Sequence, residues 1–425
     1  MKVYKFGGAS LADSMGFIMV KNILQKEPEP LCIIVSALGK TTNALEKVSH
    51  SFYYQSNDLA ENFENVKNIH YKLAEQLFPT NDPIFEELDN GFLEIEWVIE
   101  ETPHTGYDFI YDQIVSIGEI LSSKLLSYYL NNHGILNLWM DSRDFIQTDN
   151  TYRNAVVDFP TSRKLIENKL VKELKSKSVI LQGFIGGTSE NYTSTLGREG
   201  SDYSASIFAS ILKSDSLTVW KDVPGIMNSD PKINPDALFI PELSYNELAE
   251  LSYYGASIIH PKTLKPLLET EIPLWVRSFY HPEKPGTLVS KKQVKISIPS
   301  YILKTNQMLI SLNSLDGGFI LEDHLTRIYA LFASGGIAIN LAVNSALSFS
   351  VLIDQTRYQE SITKLIDSIS ENWMIKFNQN LNLLTIRYDG FSPLNWDPYI
   401  KDQEIIIEIN TRHTLQKVCR NKSLV

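Results

Sequence analysis

Cysteine, positive charge and long apolar runs are all scarce in this sequence of 425 residues. The only two cysteines, Cys32 and Cys419, lie far apart and next to strand-like residues. We therefore expect reduced thiols packed in the core, not a disulfide, a metal site or a nucleophile. The N-terminal residues lack the apolar run of a signal peptide, and no later stretch approaches the length of a bilayer span. These absences favour a cytoplasmic protein with no membrane partner.

The charge balance excludes another class of function. Lys and Arg number 39 against 50 Asp and Glu, which gives a net charge of -11. Sequence-independent binding of nucleic acid depends on Lys and Arg neutralising phosphates, so we expect no nucleic-acid partner. Small anionic ligands would need local basic sites. With 43% hydrophobic and 21% charged residues, the chain has the composition of a soluble globular protein of two or more domains.

Apolar runs alternate with helical periodicity through the first part of the chain. This alternation predicts an α/β fold with a mostly parallel sheet covered by helices on both faces. The predicted strands are 3–6, 31–35, 135–140, 179–181, 217–220 and 272–276. The predicted helices are 58–101 with a break at 79–83, 108–130, 161–176, one ending near 212, and 245–254.

The first predicted strand carries a lysine and ends in two glycines. Burying Lys5 on a central strand is costly unless an anion meets it, and the backbone N–H groups of Gly7 and Gly8 could bind the same anion. Phosphate is the natural candidate. A lysine at a strand edge that reaches solvent is equally consistent with this stretch.

Polar residues also follow the second predicted strand. Ser36 and Thr42 offer hydroxyl groups at the expected carboxyl end of a parallel sheet, where ligands bind. Capping of the next helix by Thr42 or Asn43 is the alternative. Further on, Glu119 stands in an apolar helical stretch. If it is buried it needs a positive partner such as a substrate ammonium, whereas a position on a solvated helix face would need none.

The stretch 195–205 concentrates glycine, arginine and aspartate on a turn that leads into a helix. Gly197 and Gly200 allow close backbone approach, and Ser201 is a plausible N-cap. Arg198 could bind a carboxylate with two parallel hydrogen bonds, and Asp202 suits an ammonium or a metal ion. An ordinary capped loop is the alternative.

A polar, turn-rich segment follows the strand at 217–220. Lys221 and Lys232 could bind phosphates while Trp220 and Met227 contact a base, although a long surface loop would look similar. His260, which precedes a proline, is interpreted as structural.

A proline-containing linker at 281–286 predicts the end of this unit near 290. The following segment predicts β-α-β-β-α-β order, typical of a small ferredoxin-like module. Its strands are 307–312, 337–343, 347–354 and 374–377, and its helices are 321–334 and 359–371. Strands at 383–388 and 404–410 complete the tail, with no amphipathic helix between them.

Taken together, these motifs resemble aspartate kinase of the amino-acid kinase family. The resemblance rests on Lys5 to Ser10, Ser36 to Asn43, Gly118-Glu119, Gln182 to Gly186, Thr195 to Tyr203, Asp222 to Ile226, His260-Pro261 and Gly286 to Val289, in that family's order. It covers residues 1–290 densely as a catalytic domain. Residues 291–425 resemble the family's ACT regulatory region, with one full module and a second that looks truncated.

The resemblance implies transfer of the ATP γ-phosphoryl group to the side-chain carboxylate of L-aspartate, giving 4-phospho-L-aspartate for the lysine, threonine and methionine pathways. Magnesium would bridge the nucleotide oxygens. On the substrate side, Arg198 would bind the α-carboxylate, Glu119 the ammonium, and Thr42 with Ser201 the reacting carboxylate. Lys5 would hold the travelling phosphate and Asp202 would orient Lys5. The implied nucleotide-binding set is Lys5, Gly7, Gly8, Ser10, Ser36, Lys221, Asp222, Met227 and Lys232.

Three departures from the family pattern qualify these expectations. Ala9 replaces the usual Thr or Ser, and Ser257 replaces a lysine that helps to hold the nucleotide, for which Lys262 or Lys232 could substitute. No carboxylate occurs in 337–346, where lysine-inhibited members tend to be acidic, so lysine is expected to inhibit poorly. A non-catalytic amino-acid sensor with an ACT module is the alternative, as is a kinase of another carboxylate such as glutamate. A homodimer through the ACT region is expected.

Overall fold

The computed structural model describes residues 1–256, 258–295, 298–315, 318–356, 358, 362–363, 365–366, 373–390 and 393–421. The chain forms two compact units. The first comprises Met1–Ile226, Phe239–Ser252 and Ser257–Val294. The second comprises Met227–Leu238, Tyr253–Ala256 and Lys295–Val425. Each unit has a sheet of its own.

The elements are numbered in chain order. The helices are α1 (Ser14–Leu24), α2 (Thr41–Tyr53), α3 (Leu59–Leu77), α4 (Ile84–Ile99), α5 (Tyr107–Val115), α6 (Ile117–Asn132), α7 (Phe159–Leu165), α8 (Val171–Glu173), α9 (Gly200–Leu212), α10 (Tyr245–Tyr254), α11 (Pro261–Thr270), α12 (Glu322–Ser334) and α13 (Asp397–Ile400). The strands are β1 (Lys2–Phe6), β2 (Leu31–Val35), β3 (Asn137–Trp139), β4 (Ser178–Gln182), β5 (Ile185–Gly187), β6 (Thr193–Thr195), β7 (Ser216–Lys221), β8 (Ile226–Met227), β9 (Phe239–Ile240), β10 (Glu242–Ser244), β11 (Leu274–Ser278), β12 (Thr287–Ser290), β13 (Ser300–Ser314), β14 (Ile339–Asn344), β15 (Ser348–Asp354), β16 (Trp373–Arg387), β17 (Gln403–Asn410) and β18 (Thr414–Asn421).

The first unit is built on an eight-stranded sheet in the order β10-β12-β11-β7-β1-β2-β4-β3. Neighbouring strands are parallel except for the antiparallel pair β11 and β12. The glycine-ended strand β1 is central, and Lys5 pairs in register with Ile34 of β2 and Val219 of β7. The predicted mostly parallel sheet is confirmed.

Helices cover both faces of this sheet, which explains its unbroken apolar strands. Tyr4, Phe6, Ile33 and Val35 on one face share a core with residues of α1 to α6. On the other face α9 packs against β1, β2 and β7. Strands buried on both sides bring the loops at their carboxyl ends together at one edge of the sheet.

Two of the predicted helices are divided in the structure. The helix predicted at 161–176 forms α7 and α8 with a π-helical segment, Ile166–Leu170, between them. The break at 79–83 does separate α3 from α4, but the helix expected at 108–130 is interrupted at Ser116, which separates α5 from α6. The Ser116 hydroxyl donates to the carbonyl of Gln113 at 3.2 Å. A hydroxyl bonded back to the preceding turn competes with the helix ladder and bends the chain.

The second unit contains a six-stranded antiparallel sheet in the order β14-β15-β13-β16-β18-β17. The strands predicted at 374–377 and 383–388 are one strand, β16, which continues through Asn380 in a left-handed conformation with φ of 55°. Strand β18 was not predicted, and in the described part of the tail the four-residue α13 is the one helix. The helix predicted at 359–371 falls largely outside the described residues.

Two expectations about the whole sequence can be compared with this fold. Cys32 and Cys419 are both buried and not joined in a disulfide, as predicted, and burial raises the pKa of the Cys419 thiol to about 11. Every helix in the described ranges is too short or too polar to cross a lipid bilayer.

Candidate active site

The turn after β1 is closed by its own polar groups. Both the backbone N–H and the hydroxyl of Ser10 donate to the carbonyl of Gly7, at 3.0 and 2.6 Å. Ser10 is fully buried, so its hydroxyl supports the shape of the turn. Lys5 projects beside this turn, because a Cβ on Gly7 would lie 3.6 Å from its Nζ.

The loop after β2 lies directly against this glycine turn. A Cβ on Gly8 would come within 2.7 Å of the Gly39 carbonyl oxygen and 2.8 Å of that of Ala37, so only glycine fits. The Gly39 N–H donates to Gly8 at 2.9 Å, and the half-buried Ser36 donates its N–H to Phe6 at 3.1 Å. The two predicted phosphate-side loops therefore form one structure.

Two lysines near the ends of β1 and β7 contact the same buried carboxylate, that of Asp202 on α9. Lys5 Nζ lies 2.6 Å from Asp202 Oδ1, and Lys221 Nζ lies 3.5 Å from Asp202 Oδ2. Lys5 is only 7% exposed, which excludes the solvent-reaching alternative. Burial alone would raise the pKa of Asp202, but the two ammonium groups outweigh it and hold the pKa below its usual value. Two cations against one anion leave local positive charge, which favours an anionic ligand.

The start of α9 differs from the predicted cap. Glu199, not Ser201, is the N-cap residue, with a left-handed φ of 53° and no capping hydrogen bond from its side chain. One carboxylate oxygen of Glu199 is buried without a hydrogen-bond partner in the described structure. The sequence prediction missed this because a serine after a glycine is the commoner capping pattern.

Arg198 and Ser201 flank this helix start. Arg198 is exposed and makes no ion pair with any described residue, so its guanidinium is available to a ligand. Ser201 is buried against the end of β4, where a Cβ on Gly183 would lie 2.5 Å from Ser201 Cβ. Close packing of strand and helix thus positions Ser201 at the carboxyl edge of the sheet.

Glu119 is 3% exposed on α6, so the solvated-face alternative is wrong. Burial raises the pKa of its carboxyl to about 8, although the Ala37 N–H and the charge of Lys5 oppose this shift. Its Oε2 has no hydrogen-bond partner among the described groups. A buried carboxyl with a free oxygen is a suitable acceptor for a ligand ammonium.

The helix after the second loop begins at Thr41, with Lys40 as its N-cap residue and no side-chain cap. The alternative that Thr42 or Asn43 caps it is therefore wrong, and Thr42 is a half-buried residue of the first turn. Thr41 is fully buried, and its hydroxyl has no partner within the described structure. Sequence reasoning chose only the second of these adjacent threonines.

Of the remaining predicted residues, Asp222 is exposed just after β7, while Met227 and Lys232 belong to the second unit. Ser257 lies outside the described residues. Lys262, considered as its substitute, instead donates to Asn154 Oδ1 and lies 5.9 Å from the centre of the Tyr203 ring. His260 accepts the Lys262 N–H at 3.2 Å as the N-cap of α11, in agreement with its structural interpretation.

A buried carboxylate outside the predicted set also contacts this region. Asp112 of α5 accepts hydrogen bonds from Thr195, at the start of the 195–205 stretch. In the sequence, Asp112 precedes Glu119 by seven residues, or about two helical turns. This spacing could have indicated that both carboxylates lie on the same face of the predicted helix 108–130. In the described ranges, no cluster of three or more His, Cys, Asp or Glu side chains could hold a metal ion.

Comparison with known proteins identifies relatives with this architecture. Residues 1–278 match the model of the amino acid kinase family. The lysine-sensitive aspartokinase 3 of Escherichia coli K12 is 30% identical over 359 residues, which are 83% of this chain and 78% of that protein. The aspartokinase of Chlamydia pneumoniae is 31% identical over 398 residues, or 92% and 86% of the two chains.

A solved structure extends the likeness to the whole chain. E. coli aspartokinase III, in complex with aspartate and ADP in its R-state, superimposes with a TM-score of 0.86 at 26% identity, covering 100% of this chain and 97% of the other. The structure of Clostridium acetobutylicum aspartate kinase, at 23% identity and a TM-score of 0.76, shows the same fold. The chain therefore belongs to the amino acid kinase family, and within it to the aspartokinases.

Proposed function

We propose that this chain transfers the γ-phosphoryl group of ATP to the side-chain carboxylate of L-aspartate, producing 4-phospho-L-aspartate. The observation that carries this proposal is the cluster in which the buried Lys5 and the half-buried Lys221 both contact the buried Asp202, together with the exposed Arg198, which forms no ion pair among the described residues. One part suits transferred phosphate, and the other suits the carboxylate of an amino acid. The aspartokinase relatives favour aspartate as that amino acid.

On the amino-acid side, each functional group of aspartate has a proposed partner. Arg198 binds the α-carboxylate, which its exposed guanidinium can do with two parallel hydrogen bonds. Glu119 binds the ammonium through its unpartnered Oε2. Thr42 and Ser201 orient the side-chain carboxylate that attacks phosphorus.

On the nucleotide side, positive charge and backbone N–H groups act together. Lys5 with the Gly7 and Gly8 amides binds the transferring phosphoryl group, and Lys221 adds a second positive charge. Asp202 keeps both ammonium groups in place. Ser10, Ser36 and Asp222 complete the proposed nucleotide set of the first unit. Ser10 acts through its hydrogen bond to Gly7.

The reaction needs no covalent intermediate on the protein. The substrate carboxylate is already ionised and nucleophilic, so no general base is required. The proposed work of the site is to align attacking oxygen, phosphorus and leaving oxygen and to stabilise the charge on the equatorial oxygens. We infer that magnesium, if bound with the nucleotide, would supply further neutralisation of the phosphate charge beside Lys5 and Lys221.

A direct test is trapping of the acyl phosphate. With aspartate, Mg-ATP and hydroxylamine, wild-type protein should form the hydroxamate, and Asp202→Ala should lose nearly all of this activity. Asp215→Ala, which removes an exposed carboxylate, is the matched control and should behave as wild type. A wild-type signal no higher than that of Asp202→Ala would refute the proposal.

The same assay addresses the alternatives. Glutamate in place of aspartate should give little hydroxamate; an equal or larger yield would change the proposed substrate. Calorimetry that detects amino-acid binding but no nucleotide binding would instead favour a sensor, since Ala9 and Ser257 depart from the family pattern.

We also propose that the N-terminal and C-terminal parts of the chain have different functions. Residues 1–290 form the catalytic domain, and 291–425 form an ACT-like regulatory region through which two copies associate. Light scattering should then give about twice the 48.3 kDa of one chain. If residues 291–425 form the contact between the two copies, a chain without them should have the mass of a single truncated copy.

A further inference from the structure

The buried carboxylate of Asp112 is the feature from which this inference starts. Asp112 on α5 is 0% exposed. It accepts hydrogen bonds from the Thr195 hydroxyl at 2.6 Å, the Thr195 N–H at 2.7 Å and the Arg153 N–H at 3.0 Å. None of the ion pairs formed by the described residues gives it a cation. A fully buried carboxylate that is held by three neutral donors is costly to retain for packing alone.

The two partners of Asp112 lie on segments that meet at the amino-acid side of the site. Thr195 ends β6, three residues before Arg198, and its carbonyl accepts the Ala155 N–H at 2.9 Å. A Cβ on Gly197 would lie 2.8 Å from Asn154 Oδ1 and 3.1 Å from the Arg153 carbonyl oxygen. The loop 153–155 and the turn 195–197 are therefore in contact, and Asp112 binds the backbone of both.

Backbone strain is also held at this junction. Arg153 has a left-handed φ of 62°, and Gly197 has a φ of 78°. A non-glycine residue keeps such a conformation when surrounding contacts impose it. The Asp112 hydrogen bond fixes the Arg153 N–H, while the Arg153 guanidinium packs 4.4 Å from the centre of the Tyr111 ring.

Helix α5 reaches the other amino-acid-side elements as well. The Tyr111 hydroxyl donates to Glu46 Oε1 of α2 at 2.7 Å, and α2 carries Thr42 in its first turn. Gln113 exchanges hydrogen bonds with the Thr193 backbone of β6. The chain then continues into α6, which carries Glu119. These links join α5 to three elements assigned to aspartate.

We propose that Asp112 is a positioning residue that joins α5 to the 153–155 loop and the 195–198 turn, and so sets the affinity for the amino-acid substrate. It does not touch the reacting atoms. This inference rests on the proposed aspartate kinase activity, since it assigns Arg198 to the substrate carboxylate. Loss of the hydrogen bonds that Asp112 accepts should displace Arg198 and leave the cluster of Lys5, Asp202 and Lys221 in place.

Titration of Asp112 should change the KM for aspartate with pH, an effect that a purely structural residue would not produce. Burial raises the pKa of Asp112 to about 6, against the opposing effect of the Thr195 and Arg153 hydrogen bonds. The titratable and charged groups that face it are Asp108 and Tyr111 on α5 and Tyr152 and Arg153 on the loop. Protonation of the Asp112 carboxylate removes acceptor capacity, so its hydrogen bonds with Thr195 and Arg153 should weaken as pH falls below about 6.

The test compares steady-state kinetics of Asp112→Asn with wild type and with Asp108→Asn. Asp108 lies on the same helix, is exposed and contacts only the side chain of Arg153 among the described ion pairs, so its variant is the matched control. Because an amide N–H₂ cannot accept the donors around Asp112, the KM for aspartate should rise roughly ten-fold or more, as for loss of a charged hydrogen-bond network. The KM for ATP should stay near wild type. Proton release from Glu119 raises the KM for aspartate with falling pH in both proteins, so the wild-type KM should rise more steeply once the pH falls below about 6, and Asp112→Asn should lack that extra rise.

A second pair of variants keeps the test decisive if Asp112→Asn folds poorly. Thr195→Val removes the donated hydroxyl and should raise the aspartate KM, whereas Thr195→Ser retains it and should restore near wild-type kinetics. Equal rises in both KM values, no rise beyond Asp108→Asn, or no difference between the two Thr195 variants would overturn the inference. If wild type itself makes no acyl phosphate, the proposed function fails instead, which is a distinguishable result.

Discussion

Glu119 illustrates how burial can prepare a side chain for a ligand. Its pKa is raised from 4.5 to about 8 because the carboxyl is desolvated, so the ligand-free protein binds a proton here at neutral pH. A substrate ammonium beside Oε2 favours the ionised carboxylate instead. If Glu119 binds the substrate ammonium as proposed, amino-acid binding is therefore coupled to proton release at this residue.

We predict that aspartate binding at pH 7 releases a proton from Glu119. Calorimetric titrations in buffers of different ionisation enthalpy should give a release of roughly one proton per aspartate, because the bound ammonium lowers the raised pKa. Glu119→Gln should bind more weakly and release almost none. Equal proton release from wild type and Glu119→Gln would contradict this assignment.

The same shift predicts how stability depends on pH. A carboxyl with a raised pKa in the folded state binds more protons than it does unfolded between pH 4.5 and about 8, so its contribution to the free energy of unfolding falls as pH rises through that window. Glu119→Gln removes this dependence. Urea unfolding at several pH values should show the variant gaining stability relative to wild type as pH rises; a constant difference would argue against the buried, raised pKa.

At the scale of elements, the proposed amino-acid side of the site depends on close packing between the end of β4 and the first turn of α9. A Cβ on Gly183 would lie 2.5 Å from Ser201 Cβ and 2.7 Å from Ser201 Cα. The second of these is a backbone atom and cannot move alone. The start of α9, which carries Ser201 and Asp202, therefore depends on a glycine at the end of a neighbouring strand.

Gly183→Ala should consequently displace the start of α9. We expect a loss of about 1–3 kcal/mol in the free energy of unfolding, as for other overpacked sites, together with a higher KM for aspartate. Gly106→Ala is the matched control because no atom lies within 4 Å of its Cβ position. Denaturant unfolding and kinetics on both variants measure the effects, and wild-type values for Gly183→Ala would show that the contact is easily relaxed.

At the scale of the whole molecule, the regulatory role proposed for the ACT-like region leads to a prediction about inhibitors. The segment 337–346, for which the resemblance implies acidic side chains in lysine-inhibited members, contains the amide Asn340. Its Oδ1 accepts from Lys304 Nζ at 2.8 Å, and its Nδ2 donates to Gln307 Oε1 at 2.7 Å. A cation of the protein already lies against this amide, and it would repel a second ammonium.

Lysine should accordingly be a poor inhibitor of this protein, in contrast to the relative named for its lysine sensitivity. Initial rates of acyl phosphate formation at saturating lysine should stay close to the lysine-free rate. Threonine, tested in parallel, shows whether another amino acid regulates the enzyme. Strong inhibition at low lysine concentration would contradict the electrostatic argument.

The amino-acid sequence is sufficient to identify much of this molecule because its signals are local. Apolar runs that end in glycine turns, such as Val3 to Gly8, specify a buried strand and a ligand-facing loop within a few residues. Their order along the chain predicts the mostly parallel sheet and the aspartate kinase family, which the fold and the relatives confirm. The roles of the individual site residues stay predictions.

Other features exist only once distant segments have packed together. The shared carboxylate of Asp202, the burial of Glu119 and the three hydrogen bonds of Asp112 each depend on groups from separate elements. The N-cap at Glu199 and the continuous strand β16 likewise reverse local preferences. Desolvation and close packing are properties of the assembled core, and for that reason no local pattern reveals which carboxylates become buried, which stay charged and which hold two loops together.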